Sequence, residues 1–147
     1  MPEVPVWLKQ LLLSIHDRNL FAKYLGMEIA AVHRGDSIVS MLVTHKHTNI
    51  RGVSHGGALV SLADMAMMLS CASLGRRVVT LDLNVNFVRR ASEGYTVMAH
   101  SKVIHRGKTT MVVEGSITDD SGQLLAKARG TFFVIGEYRP EESPTSS

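Results

Sequence analysis

The 147-residue chain has one cysteine, one tryptophan and four prolines, and only 5% of it is aromatic. A lone thiol, Cys71, rules out an internal disulfide and suits a reducing compartment. Only two aromatic residues, Phe87 and Tyr95, fall among the basic residues between positions 76 and 108, too few for a run of stacked bases. The stacking platforms of single-strand nucleic-acid binders are therefore missing. No apolar run approaches the ~20 residues of a membrane helix. Residues 1–10 lack the basic segment, apolar core and cleavage site of an export signal. The expectation is a cytoplasmic protein with neither membrane nor nucleic acid as partner. His45 and His47 alternate in a polar stretch, but no cysteine or carboxylate completes a ligand set, so they read as solvent-facing and no metal is expected.

What is present is an ordinary soluble composition, 45% apolar and 20% charged, at the length of one domain. The net charge is only +3, yet Arg76, Arg77, Arg89, Arg90, Lys102, Arg106 and Lys108 crowd into one third of the chain. Such a cluster fits a small phosphorylated ligand, or simply a solvated basic face.

Leu8, Leu11, Leu12 and Ile15 recur at helical spacing, predicting a short amphipathic helix over 4–15. A further turn or two over 19–25 is stopped by Gly26. Residues 27–44 read as a hairpin broken at Arg34-Gly35-Asp36. The longest helix spans 56–74, with Gly75 as its stop and an interior that is apolar on nearly every face, the mark of an element buried all round. Four strands are expected after it, over 78–88, 95–104, 109–118 and 124–135, joined by turns short enough to require antiparallel pairing. One long helix and about six strands cannot alternate as a doubly wound sheet does. The expected class is α+β, with a long central apolar helix wrapped by a curved antiparallel sheet. Residues 1–25 form an N-terminal helical segment, 26–136 the domain, and 137–147 a polar, frayed tail.

Two features carry chemistry. The stretch Gly52-Val53-Ser54-His55-Gly56 fits the G-x-S-x-G elbow of serine hydrolases, but that elbow needs a parallel sheet and a later acid and histidine. His100 and His105 fall instead in antiparallel strands, so Ser54 reads as a cap of the following helix. Asp64 is the second feature. Its neighbours Leu62, Ala63, Met65, Ala66, Met67 and Met68 strip water from a carboxylate, which must then be partnered, neutral or facing a ligand. Gly56 and Asp64 lie eight residues apart, about 12 Å along one helix. If both act on one carbonyl, the carboxylate comes from a second copy, most simply across a two-fold axis.

The segments TNIRGVSHGGALVSLADMAMMLSCAS, VVTLDLNVNFVRRA and VIHRGKTTMVVEGSITDDSGQLLAKARGTFFV resemble the hot-dog-fold acyl-CoA thioesterases of the phenylacetate-degradation type, from about residue 26 to 134. The resemblance implies that the Gly56 N–H polarises the thioester carbonyl, and that Asn49 and His55 shape that site. It implies that Asp64 of the other subunit acts as general base or nucleophile, and that Thr80 helps position water. Arg89, Arg90, Arg106 and Lys108 would meet the phosphates of coenzyme A, with Gly107 allowing close approach. Coenzyme A is then part of the substrate and no separate cofactor is needed. The partner is a second copy of the chain, in a dimer or a dimer of dimers. Two positions depart from the family pattern: Arg90 stands where relatives commonly have proline, and Met65 where many have Thr or Asn. The alternatives are a hot-dog hydratase or dehydratase, the latter pairing His55 with Asp64, and a non-catalytic acyl-CoA binder.

Overall fold

The computed structural model describes residues 3–144. Helices α1 (Val6–Asp17) and α2 (Leu20–Leu25) precede strands β1 (Met27–His33) and β2 (Asp36–Leu42). Helix α3 (Gly56–Ala72) follows, then β3 (Arg76–Phe87), β4 (Thr96–Arg106), β5 (Thr110–Asp119) and β6 (Leu124–Glu137). The strands form one six-stranded antiparallel sheet in the order β1-β2-β4-β5-β6-β3. This is the α+β hot-dog arrangement expected from the sequence, with α3 packed against the sheet's inner face.

Local chemistry explains the boundaries. Asn19 caps α2 by accepting from the Ala22 N–H at 3.1 Å, and Gly26 closes it in the left-handed conformation at φ 76°. Gly35, at φ 75°, makes the β1–β2 turn. Along β4 and β5 burial alternates, with Val97, Ala99, Ser101, Met111, Val113 and Ile117 facing inward.

Helix α3 buries Leu59, Leu62, Ala63, Met65, Ala66, Met67, Leu69, Ser70, Cys71 and Ala72. One stripe stays open: Gly57, Ser61, Asp64 and Met68, spaced i, i+4, i+7, i+11 on a single face. The all-round burial expected from its greasiness thus holds except along the stripe that carries Asp64. On the buried side, three serines stitch helix to sheet. The hydroxyls of Ser37 and Ser101 both donate to the Ala66 carbonyl, at 2.7 and 2.8 Å, and the Ser70 hydroxyl lies 2.6 Å from that of Ser101.

Four expectations are corrected. Helix α3 ends at Ala72 with Ser73 as its cap, because after Ser73 the N–H groups of Leu74 and Gly75 bond only three residues back, to Cys71 and Ala72, and Gly75 turns the chain into β3 at φ 84°. His55, not Ser54, caps its start: the His55 Nδ1 accepts from the Gly57 N–H at 2.9 Å. His47 is buried rather than solvent-facing. Its Nδ1 accepts from the Thr44 N–H at 2.8 Å, so Nε2 bears the proton and donates to the Leu25 carbonyl at 2.7 Å. The tail is not frayed from 137 onward. The Tyr138 N–H bonds the Gly75 carbonyl, Pro140–Glu142 form a 3-10 turn packed near α1, and Arg77 is held between the Tyr138 ring and the Glu142 carboxylate. Residues 145–147 lie outside the described residues.

Candidate active site

The first recess forms where α3 begins. The segment 45–54, a plain polar loop in sequence, is folded tightly on itself and on the chain that follows β3. The Asn49 N–H bonds the Val53 carbonyl, the His55 N–H the His47 carbonyl, and the Ser54 N–H the Ala91 carbonyl. This brings Asn49, Gly56, Arg89 and Arg90 to one cavity of about 200 Å³, which Leu59, Phe87 and Ala91 also line. Nothing in the local sequence signals those last three, which arrive from separate elements.

The recess offers unpaired hydrogen-bond donors. Gly56 is the first residue of α3, and no acceptor among the described residues meets its N–H, whereas the Gly57 N–H is taken by His55. The Asn49 side-chain oxygen accepts from the Arg51 N–H at 2.9 Å, and its NH₂ has no partner among the described residues. With the positive end of the helix dipole and three arginines, Arg51, Arg89 and Arg90, alongside, the recess favours a negative or strongly polarised oxygen.

The second element lies further along α3. Asp64 is half-buried on the open stripe rather than enclosed by its apolar neighbours. Its partner is the Thr80 hydroxyl on β3, which donates to Oδ1 at 2.7 Å and leaves Oδ2 for another donor. Its neighbours Leu62, Ala63, Ala66 and Met67 face the core while Met68 shares the open stripe, so the carboxylate is not enclosed as the sequence suggests. Met65, the departure from the family pattern, is buried with its sulfur 3.9 Å from the Asn19 amide nitrogen, and it lines a small recess together with the carboxylate.

The structure therefore joins some of the expected site residues and separates others. Asn49, Gly56, Arg89 and Arg90 share one recess, and Thr80 sits on Asp64. Asp64 remains two helical turns, about 12 Å, from Gly56. His55 is as far from Asp64, so the pair on which a dehydratase reading rests does not meet within one subunit. Arg106 ends β4, and Gly107 and Lys108 lie in the β4–β5 turn, tied to the start of β3 by the Arg76 Nη1 donating to the Gly107 carbonyl at 3.1 Å. Arg89 and Arg90 follow the end of the same 12-residue strand. One subunit thus holds its two basic groups roughly 35 Å apart. Gly107 also has a different reason to be glycine: a Cβ there would stand 2.6 Å from the Thr110 carbonyl oxygen across its own turn.

Residues 51–126 match the family model described as "Thioesterase superfamily". The chain is 33% identical to the acyl-coenzyme A thioesterase PaaI of Escherichia coli K12 over 84% of its own length and 88% of that protein's. The structure of the E. coli PaaI protein superposes with a TM-score of 0.87 at 31% identity, covering 92% of this chain and 99% of that one. A hypothetical thioesterase of Streptococcus pneumoniae solved with coenzyme A superposes at 0.75, with 31% identity, over 78% and 92% of the two chains. Human acyl-coenzyme A thioesterase 13 is 28% identical over 84% of this chain and 91% of its own. With this fold, an unpaired helix-start N–H and a hydroxyl-held carboxylate on one helix, the chain is a member of the thioesterase superfamily.

Proposed function

We propose that the protein hydrolyses acyl-CoA thioesters to a carboxylic acid and free coenzyme A, at sites shared between two subunits. The observation that carries this reading is the arrangement on α3: an unpaired Gly56 N–H at its start and a Thr80-held Asp64 two turns on. The Gly56 N–H and the helix dipole stabilise the oxygen that becomes negative when the thioester carbonyl is attacked. Asn49 and His55 shape that recess. Asp64 takes the proton of the attacking water as general base, or attacks the carbonyl itself to give a mixed anhydride that water then opens. In either route the C–S bond breaks and coenzyme A leaves as its thiolate.

The 12 Å between the two groups, and the separation of the two basic groups, have one common remedy. β3 is an edge strand, unpaired on one side and carrying the exposed apolar side chains Val79, Leu81, Phe87 and Val88 at or beside it. Such an edge invites a second strand. Antiparallel pairing of β3 with its copy about a two-fold axis brings the far end of one α3 beside the start of the other. Each Gly56 recess then faces Asp64 of the partner subunit, and Arg106, Gly107 and Lys108 of the partner subunit join Arg89 and Arg90 along one coenzyme A path. No helix among the described residues is long and apolar enough to cross a membrane.

The test is thiol release from a panel of aryl- and fatty acyl-CoAs by the wild type and by Asp64→Asn. Release is expected from at least one wild-type substrate, with loss on the order of 10²-fold or more in the variant. Release that survives unchanged in Asp64→Asn would overturn the mechanism. Intact acyl-CoA binding without any turnover would favour a binding protein instead.

A further inference from the structure

A recess distinct from the coenzyme A path opens on Asp64 itself, and one wall of it is α2, which lies outside the part of the chain matched by the family model. Asn19 and Phe21 of α2 face Ser61, Asp64, Met65 and Met68 of α3 across a cavity of about 110 Å³. The wall is fixed. Asn19 caps α2 with its oxygen and directs its amide at the Met65 sulfur, while His47 ties the last residue of α2 by its Nε2–H bond to the Leu25 carbonyl. Phe21 nevertheless remains 61% exposed, so packing within the described residues does not account for an aromatic side chain at that position.

We infer that this recess seats the acyl group of the substrate and that Phe21 is the residue that limits its length. The inference rests on the thioesterase reading of Asp64. A cavity of about 150 Å³ lined by aliphatic side chains holds one benzene. The recess here is smaller and partly open, so it takes a compact group, an aryl ring or a short chain, and turns away a long straight one at Phe21. Methionine sulfur beside an aromatic ring is itself a favourable contact, so the methionine lining suits an aryl group as well as an alkyl one.

The experiment measures Kd by calorimetry for unhydrolysable CoA thioethers carrying phenylethyl, butyl and decyl groups, with wild type, Phe21→Ala and Phe21→Trp. Hydrolysis of the matching thioesters is followed in parallel. The wild type should bind the phenylethyl and butyl compounds more tightly than the decyl one. Phe21→Ala should improve decyl binding relative to butyl by about tenfold, the scale of a few methylenes in an apolar pocket. Phe21→Trp should move the ratio the other way. An exposed side chain leaves the melting temperature unchanged in both variants, which separates a specificity effect from a folding one. The same ratios in all three proteins, or thioethers that bind no better than coenzyme A alone, would overturn the inference. Thioether binding that responds to Phe21 in a protein that hydrolyses none of the thioesters would support the acyl recess while removing the hydrolase reading.

Discussion

In the proposed mechanism Gly56 acts through its backbone, which makes it testable in an unusual way. As the first residue of α3, preceded by His55 in an extended conformation at ψ 135°, it occupies a position where proline is well tolerated. Gly56→Pro removes the N–H and keeps the helix start, whereas Gly56→Ala keeps the N–H and brings the same Cβ near Phe87, at 3.2 Å. The proline variant should lose on the order of 10²–10³-fold in kcat while the alanine variant loses far less, read from steady-state kinetics. Equal losses would assign the effect to the Phe87 contact. On the same proposal Thr80 is a positioning residue: Thr80→Val should lower kcat about tenfold or more with KM little changed, and Thr80→Ser should restore it, since a hydroxyl is all that Asp64 requires. Cys71 plays no part in this chemistry. Burial pushes its thiol up to about 12 from the ordinary value of 9.0. The folded protein thus keeps a proton that the unfolded chain loses above pH 9, so this group's contribution to stability falls as pH rises from about 9 towards 12. Denaturant midpoints measured across that range should decline more for the wild type than for Cys71→Ala.

At the scale of elements, α3 is held by more than apolar contact. The Ser37–Ser70–Ser101 seam adds two hydroxyl donors to a helix carbonyl, that of Ala66, and so pairs the buried serine hydroxyls inside the core, where an unmet polar group costs about 1–3 kcal/mol. Ser101→Ala removes one of its two donors and a neighbour of Ser70. A loss of about 1 kcal/mol is expected from the urea midpoint at unchanged m-value. The helix itself was legible from composition and length, and so were the hairpin signals at Gly35 and Gly107. His47 was not, because a histidine in a polar stretch carries no local mark of the Leu25 carbonyl 22 residues away that buries it. The tail escaped for a similar reason. Its sequence is polar and contains proline, yet Arg77 and Gly75 from the start of β3 supply the partners that order it to residue 144.

For the whole molecule, the open β3 edge and the division of the site make one prediction about assembly. Mixing inactive Asp64→Asn with inactive Gly56→Pro should regenerate activity after subunit exchange. In a mixed dimer one site pairs an intact Gly56 with an intact Asp64, so a random equimolar mixture recovers roughly a quarter of wild-type activity. Sites contained within single subunits would recover none. Leu81→Lys on the exposed edge should favour the monomer in sedimentation and lose activity with it, since a charge on an edge strand opposes pairing.

The sequence by itself determined the element types, the order of one long helix among short-turned strands, and the residue types able to polarise a carbonyl and to take a proton. Those follow from periodicity, turn chemistry and functional groups, all of which are local. Only the tertiary structure decided which of those residues meet. Loop 45–54, folded against the chain after β3, collected Asn49, Gly56, Arg89 and Arg90 into one recess. β3, crossing under α3, set Thr80 on Asp64. Asp64 itself looked enclosed in sequence because residues adjacent along a chain point to different faces of a helix. Its exposure depended on the one face of α3 that the sheet leaves uncovered, and that is a property of packing between distant segments.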